Sequence, residues 1–143
     1  MRNGLSKETF VWPVRVYYED TDAAGVVYYA NYLKFMERAR TEWLRNLGYG
    51  QGELAGREGV LFVVRTVELK YHRWARLDDA LRVFTDVESR RRASLVFRQS
   101  VVADADEAPV LCSGLVSVAC VRADSFRPTP IPNALLTEIS REP

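Results

Sequence analysis

The chain has 143 residues, 48% of them hydrophobic and 27% charged, which fits one globular domain and leaves no room for two. Lys plus Arg number 20 against 19 Asp plus Glu, a formal charge of +1. That balance excludes the bulk basic field of a nucleic-acid binder or of a protein held on an acidic membrane by charge.

A chain of this size buries roughly two thirds of the surface its unfolded form exposes, so a core forms without a metal or disulfide staple. Met1 to Lys7 have no apolar stretch behind them. They read as a loose terminus over residues 1–9 rather than as a signal peptide. The domain is expected over 10–143, with a short C-terminal extension. No apolar run reaches the roughly 18 residues of a membrane span.

In chain order, Phe10 to Tyr18 is rich in Val, Tyr and other aromatics and predicts a strand. A polar loop follows from Asp20 to Gly25. Asn31 to Leu47 predicts the one long helix, with Tyr32, Phe35, Met36, Ala39, Trp43 and Leu47 on one face and Lys34, Arg38, Thr41 and Arg45 on the other. Gly48 supplies a C-terminal stop. Gly50, Gly52, Gly56 and Gly59 mark an irregular connection.

The rest is strand-like. Val63, Arg65, Val67, Leu69 and Tyr71 alternate with Val64, Thr66, Glu68, Lys70 and His72, the period of a half-exposed strand. After a turn at Arg76-Leu77-Asp78-Asp79 come strands at Leu81 to Glu88, Leu95 to Ala103 and Val110 to Val121. A short helix is expected at Ala134 to Ile139, beyond Pro128, Pro130 and Pro132. The order predicts a strand, one helix, then four strands in a meander, an α+β layer architecture in which a sheet can wrap one helix. Cys112 and Cys120, an even number of residues apart on one strand, read as two buried thiols of a reducing compartment, the cytoplasm. Trp12, Trp43 and Trp74 read as core or interface residues.

Chemistry concentrates around the loop from Asp20 to Gly25. Asp22 lies between a strand and a helix. Gly25 allows a tight turn or close approach of the backbone to a ligand. A helix starting near Tyr29 offers unpaired N–H groups and the positive end of its dipole. A carboxylate beside such donors can attack a carbonyl or activate a water while the donors hold the oxyanion. The same spacing is equally that of an Asp capping a turn or the helix start. Glu19 and Asp20 read as solvated loop acids. Glu37 reads as a partner of Arg38 or Arg40, or as a border of the site. His72 is the only histidine and reads as exposed, so no Ser-His-Asp set is available.

The stretch Arg15 to Tyr32, continued through Phe35, Glu37, Arg38, Ala39 and Arg40, is similar to the active-site signature of the 4-hydroxybenzoyl-CoA thioesterase family. Phe62-Val63-Val64-Arg65 and Ala75-Arg76-Leu77-Asp78-Asp79 resemble the Tol–Pal-associated acyl-CoA thioesterase branch. The resemblance runs from about Phe10 to about Pro132. It implies a hotdog fold and hydrolysis of an acyl-CoA thioester to free acid and coenzyme A.

In that reading Asp22 is nucleophile or general base and the Tyr29 backbone N–H polarises the thioester carbonyl. Gly25, Val26 and Val27 touch substrate, and Arg90, Arg91 and Arg92 meet the coenzyme A phosphates. The bland alternative for the three arginines is a solvated turn or a basic sheet edge. No metal and no separate cofactor are expected. The resemblance also implies a homodimer with sites at its interface, pairing into a homotetramer, and partners in cell-envelope or lipid metabolism. In that branch position 29 is commonly His, and here it is Tyr. Two other functions remain open: a thioester hydratase or dehydratase, which the absence of a nearby His disfavours, and a non-catalytic acyl-CoA-binding scaffold.

Overall fold

A computed structural model describes residues 9–141. Apart from Thr9, the expected loose N-terminus therefore lies outside the described residues. The elements are β1 (Phe10–Arg15), α1 (Asn31–Asn46), α2 (Gln51–Glu53), β2 (Val60–Tyr71), β3 (Ala80–Arg90), β4 (Ser94–Ala103), β5 (Val110–Arg122) and α3 (Asn133–Arg141). A short 3-10 turn at Tyr18–Asp20 follows β1.

The helix forms where its apolar spacing predicts. Tyr32, Phe35, Met36, Ala39 and Trp43 are buried, while Lys34, Arg38 and Arg45 face solvent. Its C-terminus is a Schellman turn: Gly48 takes φ 97°, its N–H donates to the Arg45 carbonyl at 2.9 Å, and Tyr49 N–H donates to the Leu44 carbonyl at 3.1 Å. The glycine-rich connection is more ordered than expected. It coils through α2 into a π turn at Leu54–Glu58, which Gly59 ends at φ 70°.

All five strands form one antiparallel sheet in the order β1-β3-β4-β5-β2. The expected four-strand meander is therefore corrected. Only β3, β4 and β5 form one; β2 pairs with β5 and β1 closes onto β3. The chain between Tyr71 and Ala80 must cross three strand spacings, about 14 Å, which its eight intervening residues reach easily. The sheet wraps α1, whose apolar face packs on β1, β3 and β4. This is the expected α+β hotdog architecture.

A β-bulge between Val64 and Thr66 corrects the alternation expected along β2. Arg65 is the extra residue, so Val64, Val67, Leu69 and Tyr71 share the helix-side face and Val63 moves to the outer one. Cys112 and Cys120 are both buried and free. Trp43 lies in one of two core clusters and Trp12 packs against the other. Trp74 is 73% exposed, which removes it from the core of this chain.

Between helix and sheet lies one buried polar cluster. Gln99 Nε2 donates to the Met36 carbonyl at 3.0 Å and to Thr85 Oγ1 at 2.9 Å, and Gln99 Oε1 accepts from Arg40 Nη1 at 2.9 Å. It pins the middle of α1 to β3 and β4 and so sets where the helix start lies.

Candidate active site

The loop before α1 is a small hairpin. Asp22 N–H donates to the Val26 carbonyl at 2.9 Å, Gly25 N–H donates to the Asp22 carbonyl at 3.0 Å, and Thr21 bridges Val27. Gly25 takes φ 83°, which the closing residue of this turn requires and which a Cβ disfavours. Asp22 Oδ1 accepts from Ala24 N–H at 2.8 Å. The carboxylate thus does cap its own turn, as the bland reading expects, but with one oxygen. The side chain is exposed, which leaves Oδ2 directed to a ligand or solvent.

The helix begins at Asn31, as its apolar spacing predicts, and Tyr29 lies just ahead of it. Ala30 is the N-cap. Residues 28–30 form a lead-in turn, closed by Asn31 N–H to the Tyr28 carbonyl at 2.8 Å. Among the described residues the Tyr29 N–H meets no acceptor, and Ala30 caps the helix with no side-chain bond. Free donors therefore do face out at the positive end of α1, as an oxyanion site needs, but Tyr29 supplies its N–H from the turn and not from the helix.

Tyr29 is 61% exposed and lies beside two other tyrosine rings. Its ring centroid lies 4.8 Å from that of Tyr28 and 6.2 Å, edge-on, from that of Tyr71. The Tyr71 hydroxyl donates to the Tyr29 carbonyl at 3.1 Å. Burial first, then the neighbouring Cys112, Tyr29 and Tyr32, raise the Tyr71 pKa above the usual phenol value. The segment joining β2 to β3 braces the other side: Val27 N–H donates to the Ala75 carbonyl at 2.8 Å, and Ala75 N–H donates to Tyr32 Oη at 3.0 Å.

Asp20 overturns its expectation. It is 3% exposed and not a solvated acid, because its oxygens accept from Tyr17 N–H at 2.9 Å and Asn31 Nδ2 at 2.8 Å. Glu19 is exposed as expected. Asn31 and Ala75 lay within the stretches that carry the family resemblance and Tyr71 within the β2 alternation, but nothing in the pattern gave any of the three a role at the site.

Val26 and Val27 lie between the two halves of the site, Val26 bridging Arg76 and Val27 buried. Arg90, Arg91 and Arg92 are exposed at the β3–β4 hairpin. They lie at the opposite end of β3 from Ala80, roughly 33 Å along the strand. The Ala80 end is the one tied to the Asp22 side, through Val16 N–H to the Asp79 carbonyl at 2.9 Å. The structure thus groups Asp22, Gly25, Val26, Val27 and Tyr29, and separates the three arginines from them within one chain.

A shallow groove opens between α1 and the sheet, lined by Glu37, Arg40, Phe62, Val64, Leu95 and Phe97 among others. Burial lowers the Arg40 pKa and the nearby Glu37 works against that shift. His72 is exposed on the outer sheet face, Nε2 lying 2.9 Å from Ser113 Oγ. Among the described residues no three His, Cys, Asp or Glu side chains gather as metal ligands do. No helix among them is long and apolar enough to cross a membrane.

Known proteins share both sequence and architecture with this chain. Acyl-CoA thioester hydrolase YbgC of Escherichia coli O6:H1 is 46% identical over 137 residues, 96% of this chain and 100% of that protein. The crystal structure of a probable thioesterase from Bartonella henselae superposes with a TM-score of 0.81 at 34% identity, covering 87% of this chain and 99% of that one. A 4-hydroxybenzoyl-CoA thioesterase complexed with 4-hydroxybenzoyl-CoA superposes with a TM-score of 0.85 over 92% of this chain and 99% of that one; at 19% identity it bears on the fold alone. The family model of the thioesterase-like superfamily matches residues 16–139, and the chain belongs to that superfamily.

Proposed function

We propose that this protein hydrolyses acyl-CoA thioesters to the free acid and coenzyme A. The observation that carries the reading is the pairing of an exposed carboxylate, Asp22, with the uncommitted Tyr29 N–H on the neighbouring turn. The thioester carbonyl oxygen takes the Tyr29 N–H. Asp22 either attacks the carbonyl carbon or draws a proton from a water that does so. Charge builds on the oxygen as the tetrahedral intermediate forms, where a preorganised donor at a helix start acts most strongly. Collapse expels the coenzyme A thiolate. If Asp22 attacked, water then cleaves the mixed anhydride. A donor that is a backbone N–H needs no histidine at position 29. Gly25, Val26 and Val27 form the wall beside the reacting carbon. The groove at Glu37 begins about 9 Å along α1 from Asn31 and receives the acyl group. The reaction needs no cofactor beyond the coenzyme A of its substrate and no metal, so EDTA is expected to leave the rate unchanged.

We take the active unit to be a homodimer paired through the β2 edge, with two dimers forming a tetramer. The β1 edge carries Pro13, which lacks a donor. The β2 edge is twelve residues long and leaves Val64, Val67 and Tyr71 exposed on its helix side. A two-fold axis across β2 reverses the partner and carries its Arg90–Arg92 turn to the same end as this chain's Asp22, a geometry in which those arginines can serve the coenzyme A phosphates. The cytoplasm suits two free buried thiols, and partners in cell-envelope or lipid metabolism complete the proposal.

The test is release of free thiol across a chain-length series of acyl-CoAs that includes an aromatic one, alongside hydration of crotonyl-CoA. Hydrolysis of some members without hydration supports the reading. Hydration without hydrolysis, or tight binding with no turnover, overturns it in favour of a hydratase or a binding scaffold.

A further inference from the structure

Outside the reacting pair, one buried carboxylate has a geometry that stability alone does not require. Asp20 holds both sides of the site. Its Oδ2 and backbone N–H close the turn onto Tyr17, at 2.9 Å each. Its backbone carbonyl accepts the Tyr28 N–H at 2.9 Å, and its Oδ1 accepts from Asn31 Nδ2 at 2.8 Å. Tyr28 and Asn31 bracket Tyr29, and Asp22 lies two residues beyond Asp20 in the chain. Asp20 and Asn31 are both buried, so water does not replace these bonds cheaply.

We infer that Asp20 and Asn31 are positioning residues. Their side-chain bond fixes the Tyr29 N–H relative to the Asp22 carboxylate, and neither residue touches the substrate. The inference rests on the reading of Asp22 and Tyr29 as the reacting pair. A nucleophile and an oxyanion donor on two separate turns lose rate steeply when their spacing drifts; an error near 1 Å costs up to about a hundredfold. The Ala75 and Tyr71 bonds tie the lead-in turn to the sheet side; the Tyr28 and Asn31 bonds to Asp20 tie it to the segment that carries Asp22, and of these two the Asn31 bond is the one that a side chain supplies.

The bond can be inverted. In Asp20→Asn the new amide opposes either the Asn31 amide or the Tyr17 N–H, so one acceptor is lost. In Asn31→Asp two carboxylates face each other. In the double variant Asp20→Asn/Asn31→Asp, Oδ1 of the new residue 20 still accepts from Tyr17 N–H while its Nδ2 donates to residue 31. A carboxylate in the first turn of α1 also suits the helix dipole. Both single variants are expected to lower kcat by about tenfold to a hundredfold with KM little changed, and the double variant to recover most of kcat.

Thermal melts and circular dichroism, with the assay run well below the lowest Tm, separate this from unfolding. Near-normal kcat in both single variants, or a double variant no better than the worse single one, overturns the inference. If Asp22→Asn is fully active, the reading beneath it fails instead. If Asp22→Asn is inactive while the single variants work normally, only the positioning role fails.

Discussion

Replacing Gln99 with Leu removes three hydrogen bonds from a site that is 1% exposed. The Met36 carbonyl keeps a place in the helix ladder, so its loss costs little. Thr85, also 1% exposed, is left with a buried hydroxyl, worth about 1–3 kcal/mol when unpaired. Arg40 loses an acceptor for a charged donor, worth about 1.5–3 kcal/mol when fully buried, but its partial exposure admits water and places the cost at the lower end. The leucine returns roughly 1 kcal/mol of apolar burial. The net loss is about 2–3 kcal/mol, or a Tm lower by about 5–10 °C for a chain of this length. Urea unfolding followed by circular dichroism at fixed protein concentration measures it, with the m-value unchanged. A loss below about 0.5 kcal/mol would refute the claim that this cluster pins α1 to the sheet, because ordinary surface changes fall in that range.

Other outcomes follow from particular contacts. A Cβ on Gly114 overlaps the Glu68 carbonyl oxygen and lies 2.5 Å from Leu69 Cδ2, so Gly114→Ala is expected to cost about 1–3 kcal/mol in the same unfolding assay. Burial pushes Cys112 up to about 12 and Cys120 up to about 11. Their raised folded-state values mean that this stabilisation is complete below the ordinary thiol value of 9.0 and is lost as pH climbs from there towards about 12. Unfolding measured at stepped pH is expected to weaken across that window, less steeply in Cys112→Ala/Cys120→Ala, and a slope unchanged in the variant contradicts the assignment. A charge on the β2 edge, Val67→Lys, is expected to shift the mass in light scattering towards the 16.3 kDa of one chain and to abolish hydrolysis.

What could be read from the sequence was whatever periodicity and local signals govern. The 3.6-residue spacing from Tyr32 to Trp43 gave the helix and its buried face, and Gly48 gave its end. The pairing of β2 with β5 was not readable, because strand neighbours depend on a crossover whose length also fits a hairpin with a long loop. The bulge at Arg65 was hidden for a similar reason: one extra residue leaves the composition of β2 unchanged but reverses which valines face the helix. At the site, Asp22 and Gly25 were legible from turn chemistry and the family signature. The buried state of Asp20 was not, since an acid in a polar loop ordinarily faces water, and only the folded approach of Asn31 and Tyr17 supplies its donors. The helix start at Asn31 was legible from its spacing, while the lead-in turn that carries Tyr29, closed by Tyr28 and Asn31, was not.

The most direct test of the central claim is kcat/KM for acyl-CoA hydrolysis by Asp22→Asn against the unaltered protein. The substitution keeps an oxygen that can accept the Ala24 N–H and so preserves the turn, yet removes the negative charge that attacks or deprotonates. A loss of roughly a hundredfold or more, with the melting temperature and oligomeric mass unchanged, is the predicted result. Activity within a few-fold of the unaltered protein would contradict it and leave Asp22 as no more than the cap of its own turn.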